Sequence, residues 1–109
     1  MILCFYLCFC DDFVFLRRYS YVDGMLEKRA PFRADHIAAL QQGAVAGQVA
    51  LAGAFNEPCD GAVFLFHSDA CARADVEDFA RRDPYVTNGL VPEWSVSEYM
   101  AVTGSLHNP

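Results

Sequence analysis

Positive charge is scarce in this sequence. Eight Lys and Arg stand against fourteen Asp and Glu, for a net charge of −6. Sequence-independent binding to DNA or RNA rests on clustered cations that neutralise phosphates, so a nucleic-acid partner is not expected. Only Lys28, Arg29 and Arg33 form anything like a basic patch. Cysteine pairs with metal or redox spacing are missing as well. The five cysteines include no Cys-x-x-Cys, which argues against a zinc ribbon or a thioredoxin-type site. Reduced thiols in a cytoplasmic protein are the expectation. The apolar start, "MILCFYLCFC", is ten residues long, whereas a spanning helix needs roughly 20. It lacks the cationic lead of a signal peptide, and Asp11-Asp12 follow it at once. No membrane partner is expected. Nor is there a phosphate-cradling glycine loop, a nucleophile elbow or a quartet of metal ligands, so the chemistry is expected to need no cofactor and no metal.

What is present is apolar and aromatic. Hydrophobic residues make up 54% of 109 positions. A chain of this size forms one domain and buries ~65% of its unfolded surface. Nine Phe, five Tyr and one Trp are many for so short a chain, and some are expected to serve a second surface such as a subunit interface. Residues 1–12 read as an apolar, Cys-rich extension, 13–102 as the domain, and 103–109 as a flexible tail.

The pattern along the domain alternates between two periods. "DFVFLRRYSYV", 12–22, is aromatic and β-branched and predicts a strand. The stretch 23–32 opens on a turn signal, contains Pro31 and reads as a connection with a short helical turn. From Arg33, the residues Ile37, Leu40 and Ala44 fall on one helical face, and Gly47 fits the helix stop. Residues 48–55 predict a strand whose crowded face carries Val49, Leu51, Gly53 and Phe55. "NEPCDG" is a turn, and "AVFLFH", 62–67, a central strand. Ser68 or Asp69 is placed to cap the next helix, with Ala72, Val76, Phe79 and Ala80 as its buried stripe. Asp83 before Pro84 ends that helix, because the α conformation is disfavoured there. A last strand covers about 93–102.

The order β-α-β-β-α-β is the ferredoxin-like arrangement, an α+β fold with an antiparallel sheet and both helices on one face. Two helices cover one side of a sheet that is apolar on both. A second copy is the simplest cover for the other side, giving a homodimer with a barrel-like interior.

Among the histidines, His107 lies in the tail and His67 ends the central strand, where backbone bonding explains it. His36 stands one position before the helix stripe, with Arg33 three residues earlier on the same face and Arg29 upstream. Such a histidine suits anion binding and proton movement, or it simply caps and packs. Asp83 has two readings too. It punctuates a helix by bonding the backbone amides that follow, or it orients an imidazole. Two helices lying in parallel would hold the start of one ~15 Å from the end of the other over ten residues. A contact between His36 and Asp83 therefore calls for residues 83–90 to fold back, or for the two to meet across a dimer.

The segments "DGMLEKRAPFRADHIAALQQG", "GAF" and "FARRDPYVTNGLV" together resemble the YCII-related domain family of YciI-like dimeric α+β barrels, over about residues 13–102. The carriers are Arg33 with His36, Gly53 before the hairpin, and Asp83, Pro84, Tyr85, Gly89 and Leu90; Ala34-Asp35 stands where Pro-Ala is usual. The resemblance implies a His–Asp acid/base pair, His36 with Asp83, in a pocket. It also implies a relationship to muconolactone isomerases and to a chloride-eliminating member type. The expected protein is then a lyase or isomerase acting on a small phenolic or anionic molecule, with Arg33, Arg29 and Tyr85 binding it. The other reading is a non-catalytic dimeric binding module using the same pocket.

Overall fold

The structure is a computed structural model that describes residues 13–105; the expected N-terminal extension and His107 lie outside the described residues. The chain runs β1 (Val14–Ser20), α1 (Met25–Lys28), a 3₁₀ turn (Ala30–Phe32), α2 (Arg33–Val45), β2 (Val49–Ala54), β3 (Gly61–His67), α3 (Arg73–Arg82), α4 (Pro84–Thr87) and β4 (Glu93–Tyr99). All strand pairs are antiparallel, in the order β2-β3-β1-β4. This is the α+β, ferredoxin-like βαββαβ fold that the alternating periods predict.

The register sorts the strand residues into two faces. Phe15, Arg17 and Tyr19 of β1 share the helix side with Ala62, Phe64 and Phe66 of β3, and all six are buried. Val76 and Ala80 of α3 close over them, with Tyr85, Leu90 and Val91 filling the space beyond. Gly61 lets β3 approach β1 closely: a Cβ there would sit 2.6 Å from the Tyr19 carbonyl oxygen. The opposite face carries Leu16, Val63 and Leu65 at adjacent register positions, flanked by Leu51 and Tyr99. Leu51 and Tyr99 are more than half exposed.

Several local expectations differ from the structure, among them Ala72, expected in the buried stripe of α3 but exposed as its N-cap. The buried face of α2 is turned by one residue, so that His36 and Gly43 are buried while Ala44 is exposed. Gly43 permits this: a Cβ there would meet Val49 Cγ2 at 2.8 Å. In β2, a register shift between Val49 and Leu51 breaks the expected single face. Val49 pairs with Phe66 and Leu51 with Leu65, so the two fall on opposite sides of the sheet. Neither Ser68 nor Asp69 caps α3. Ser68 Oγ donates to the Phe13 carbonyl at 2.7 Å, and the helix starts after Ala72, whose N–H donates to Asp75 Oδ2 at 2.9 Å. The last strand ends at Tyr99 rather than near residue 102.

Candidate acid/base site

His36 and Asp83 meet within one chain. Because β1 and β3 are antiparallel, the helices that follow them run in opposite directions. The start of α2 and the end of α3 therefore arrive at the same end of the sheet. Parallel helices would have separated them; here no partner subunit is needed to join them.

The Asp83 carboxylate is surrounded by donors. His36 Nδ1 lies 2.9 Å from both of its oxygens. The Tyr19 hydroxyl donates to Oδ2 at 2.7 Å, and the Tyr85 backbone N–H donates to Oδ1 at 2.9 Å. Asp83 is thus both the last residue before the break in the helix and the N-cap of α4. His36 is 5% exposed and Asp83 7%. Burial alone would raise the Asp83 pKa. The hydrogen bond and charge of His36, then the Tyr19 hydroxyl and the Tyr85 N–H, outweigh it and hold the carboxyl below its usual range.

Residues 84–90 do turn back. Pro84 opens α4 with its fixed φ, Gly89 takes a left-handed conformation with φ of 76°, and the Leu90 N–H returns to the Tyr85 carbonyl at 2.9 Å. This turn brings the Tyr85 ring flat against the His36 imidazole, with centroids 3.8 Å apart and planes 12° apart. Phe64 meets the same imidazole edge-on at 6.0 Å. The ring is held by stacking on one side and a two-oxygen hydrogen bond at Nδ1. The hydrogen bonds of the imidazole among the described residues are those of Nδ1, and Nε2 has no partner there.

Among the described residues, two cavities meet at His36. The first, about 190 Å³, is lined by Arg29, Arg33, His36, Tyr21 and Tyr85 among others. It gathers every site residue named from the sequence except Asp83, which stands behind the imidazole. Arg33 is exposed and Arg29 half-buried, with Arg29 Nη1 lying 3.9 Å from Cys59 Sγ. Burial pushes the Tyr85 pKa up, and the charges of Arg29 and Arg33 partly oppose that. The second cavity, about 290 Å³, is lined by Arg17, His36, Leu40, Phe79, Arg82 and Asp83 among others. Larger, open hollows of about 640 and 580 Å³ lie over Trp94 and along α3, and neither is lined by His36 or Asp83.

Two participants escaped the sequence reading. Tyr19 fixes the carboxylate. Arg17 is 1% exposed, and among the described residues its Nε and Nη1 have no hydrogen-bond partner. Its guanidinium lies 4.2, 4.8 and 5.1 Å from the ring centroids of Phe64, Tyr19 and Phe66. Both residues were visible as the alternate positions of "FLRRY", where one arginine has to share a face with Phe15 and Tyr19. Among the described residues no three His, Cys, Asp or Glu side chains gather as metal ligands. Nor is any described helix long and apolar enough to cross a membrane.

Comparison with known proteins gives the following. The YCII-related domain matches residues 5–100. No curated protein matches the sequence. In structure, the chain resembles 5-chloro-2-hydroxyhydroquinone dehydrochlorinase of Burkholderia phenoliruptrix AC1100, solved in complex with 2,5-dihydroxybenzoquinone. The TM-score is 0.66 at 19% identity, covering 87% of this chain and 99% of that one. It also resembles an uncharacterized NIPSNAP domain protein of Burkholderia xenovorans, with a TM-score of 0.51 at 13% identity, covering 89% and 99%.

Proposed function

Since the chain belongs to the YCII-related domain family, we propose that it is an acid/base enzyme, a lyase or isomerase, acting on a small phenolic or anionic substrate without a cofactor. The observation that carries this reading is the clamped imidazole. His36 Nδ1 is 2.9 Å from both Asp83 oxygens and the ring is stacked on Tyr85, in the wall of a cavity that also holds Arg29 and Arg33. A carboxylate at Nδ1 fixes the tautomer that leaves Nε2 as a base and stabilises the imidazolium that forms. His36 Nε2 takes a proton from an activated C–H or a phenolic O–H. The electron pair moves to an oxygen held by Arg33 and Arg29. When it returns, either the imidazolium gives the proton to a second carbon, which is an isomerisation, or the pair breaks the bond to the leaving group, which departs as the anion while the proton passes from His36 to solvent. One positioned proton-transfer group contributes typically ~10²–10⁴-fold, enough for an activated hydrogen or a good leaving group. A base-initiated elimination of halide from a hydroxylated ring, the kind of reaction named for the dehydrochlorinase, falls within that reach.

The acting unit in this reading is a homodimer. Leu16, Leu65, Val63 and the exposed Leu51 form an apolar sheet face that a second copy would cover. A binding module would keep the arginines and the apolar walls but would have no use for a histidine locked to a carboxylate. The test follows the histidine. His36 is titrated by NMR in the wild type and in Asp83→Asn, and chloride release from chlorinated hydroquinones is measured in both and in His36→Gln. Coupled titration and a loss of ~10² or more in rate support the enzyme. A titration that ignores Asp83, with no halide released, leaves the binding module.

A further inference from the structure

We infer that the second cavity, floored by Arg17 between α2 and α3, is an anion-binding subsite that takes the carboxylate or phenolate of a small aromatic molecule.

Arg17 is the reason. A guanidinium stays charged under all ordinary conditions. Here it is 99% removed from solvent, and among the described residues Nε–H and Nη1–H are unsatisfied. Buried donors nearly always have partners, and one without calls for an explanation. Burial lowers the Arg17 pKa, with Tyr19 and Asp83 opposing this through space. Asp83 is the carboxylate that acts on Arg17 through space, yet its oxygens are already engaged by His36, Tyr19 and the Tyr85 N–H. The rings of Phe64, Tyr19 and Phe66 attract the charge by their faces but accept no ordinary hydrogen bond.

The cavity beside Arg17 fits a small ring carrying one negative group. Its volume is about 290 Å³, near the lower end of ligand sites. Leu40, Phe79, Pro84 and Ala39 provide apolar walls, and Gln42 a neutral polar group. Arg17 and Arg82 outnumber Asp83 among the charged groups of the lining, before any proton on His36 is counted. A planar guanidinium matches carboxylate and phenolate oxygens better than an ammonium would. The subsite is separate from the cavity of Arg29 and Arg33 and shares with it His36 and Leu40. It requires no catalysis by the dyad.

The probe is sodium benzoate, with benzamide as its neutral counterpart, at constant ionic strength. The buried Arg17 Nε–H gives its own NMR signal. Benzoate shifts that signal saturably and benzamide does not. The shift survives Arg33→Met, which alters only the first cavity. In Arg17→Met, the benzoate-dependent shifts of the Leu40 methyls are lost. The inference is overturned if the Nε–H signal ignores benzoate. It is equally overturned if the Leu40 shifts vanish in Arg33→Met and persist in Arg17→Met, meaning that the anion sits in the first cavity. Should Arg17→Met not fold, the wild type and Arg33→Met decide between these outcomes. Failure of the acid/base reading appears instead in the His36 titration and leaves this result unchanged.

Discussion

At the scale of single residues, the site sets stability against use. Replacing a buried charge by a well-packed apolar side chain often stabilises a fold by about 1–4 kcal/mol. Arg17→Met places such a side chain among Tyr19, Phe64 and Phe66, and a higher denaturant midpoint is the expected result. A lower midpoint would mean that the through-space attraction of Asp83 for Arg17 outweighs its desolvation. Tyr19→Phe has the opposite sign. It removes a 2.7 Å donor from a buried carboxylate, and hydrogen bonds to charged groups contribute about 1.5–3 kcal/mol. Its cost is measurable by urea denaturation near neutral pH. The Asp83 carboxyl is held below its ordinary value. Its contribution is therefore complete above the unfolded pKa of about 3.9 and is lost as pH falls through the lower folded value. Wild-type stability is expected to drop between about pH 5 and about pH 2, and Asp83→Asn to flatten that drop. An unchanged slope would show that other carboxylates dominate acid unfolding.

At the scale of elements, the sequence disclosed more of the order than of the faces. The alternation of periods was enough to place two long helices and four strands, because periods 2 and 3.6 leave different patterns. It was not enough to orient them. Ile37, Leu40 and Ala44 made a plausible stripe, yet the buried face of α2 turns toward His36 and Gly43, since only a glycine lets the helix settle on Val49. The bulge in β2 was hidden because small residues alternate as easily out of register as in it. The distance problem between His36 and Asp83 came from treating the helices as parallel, and strand direction resolves it. The candidate residues were nameable, and alternation already sets Arg17 between Phe15 and Tyr19, but only the fold shows that this face lies under the helices and beside Asp83. Gly61→Ala tests this level of description. Its methyl would press on a backbone oxygen, which cannot rotate away, so a loss of about 1–3 kcal/mol is expected by thermal or chemical denaturation.

For the whole molecule, the sheet has one satisfied face and one waiting face. Helices cover Phe64 and Phe66, while the opposite side leaves Leu51 59% exposed beside Leu65. If two copies close over that face, Leu65→Glu converts the protein to a monomer in sedimentation or light scattering and leaves the signal of the His36–Asp83 hydrogen bond in place, since the dyad lies within one chain. An unchanged mass would remove the dimer from the proposal without touching the site.

The corner at Asp83 has a consequence for descent. One carboxylate ends α3, caps α4 and fixes the imidazole, so heredity cannot alter the turn and the hold on His36 independently. A lineage with no use for the proposed reaction would still need a short polar acceptor there to hold Tyr85 in place. Asn or Ser would keep the turn and surrender the charge. The residue found at this corner in a relative therefore reports which of its duties that relative has retained.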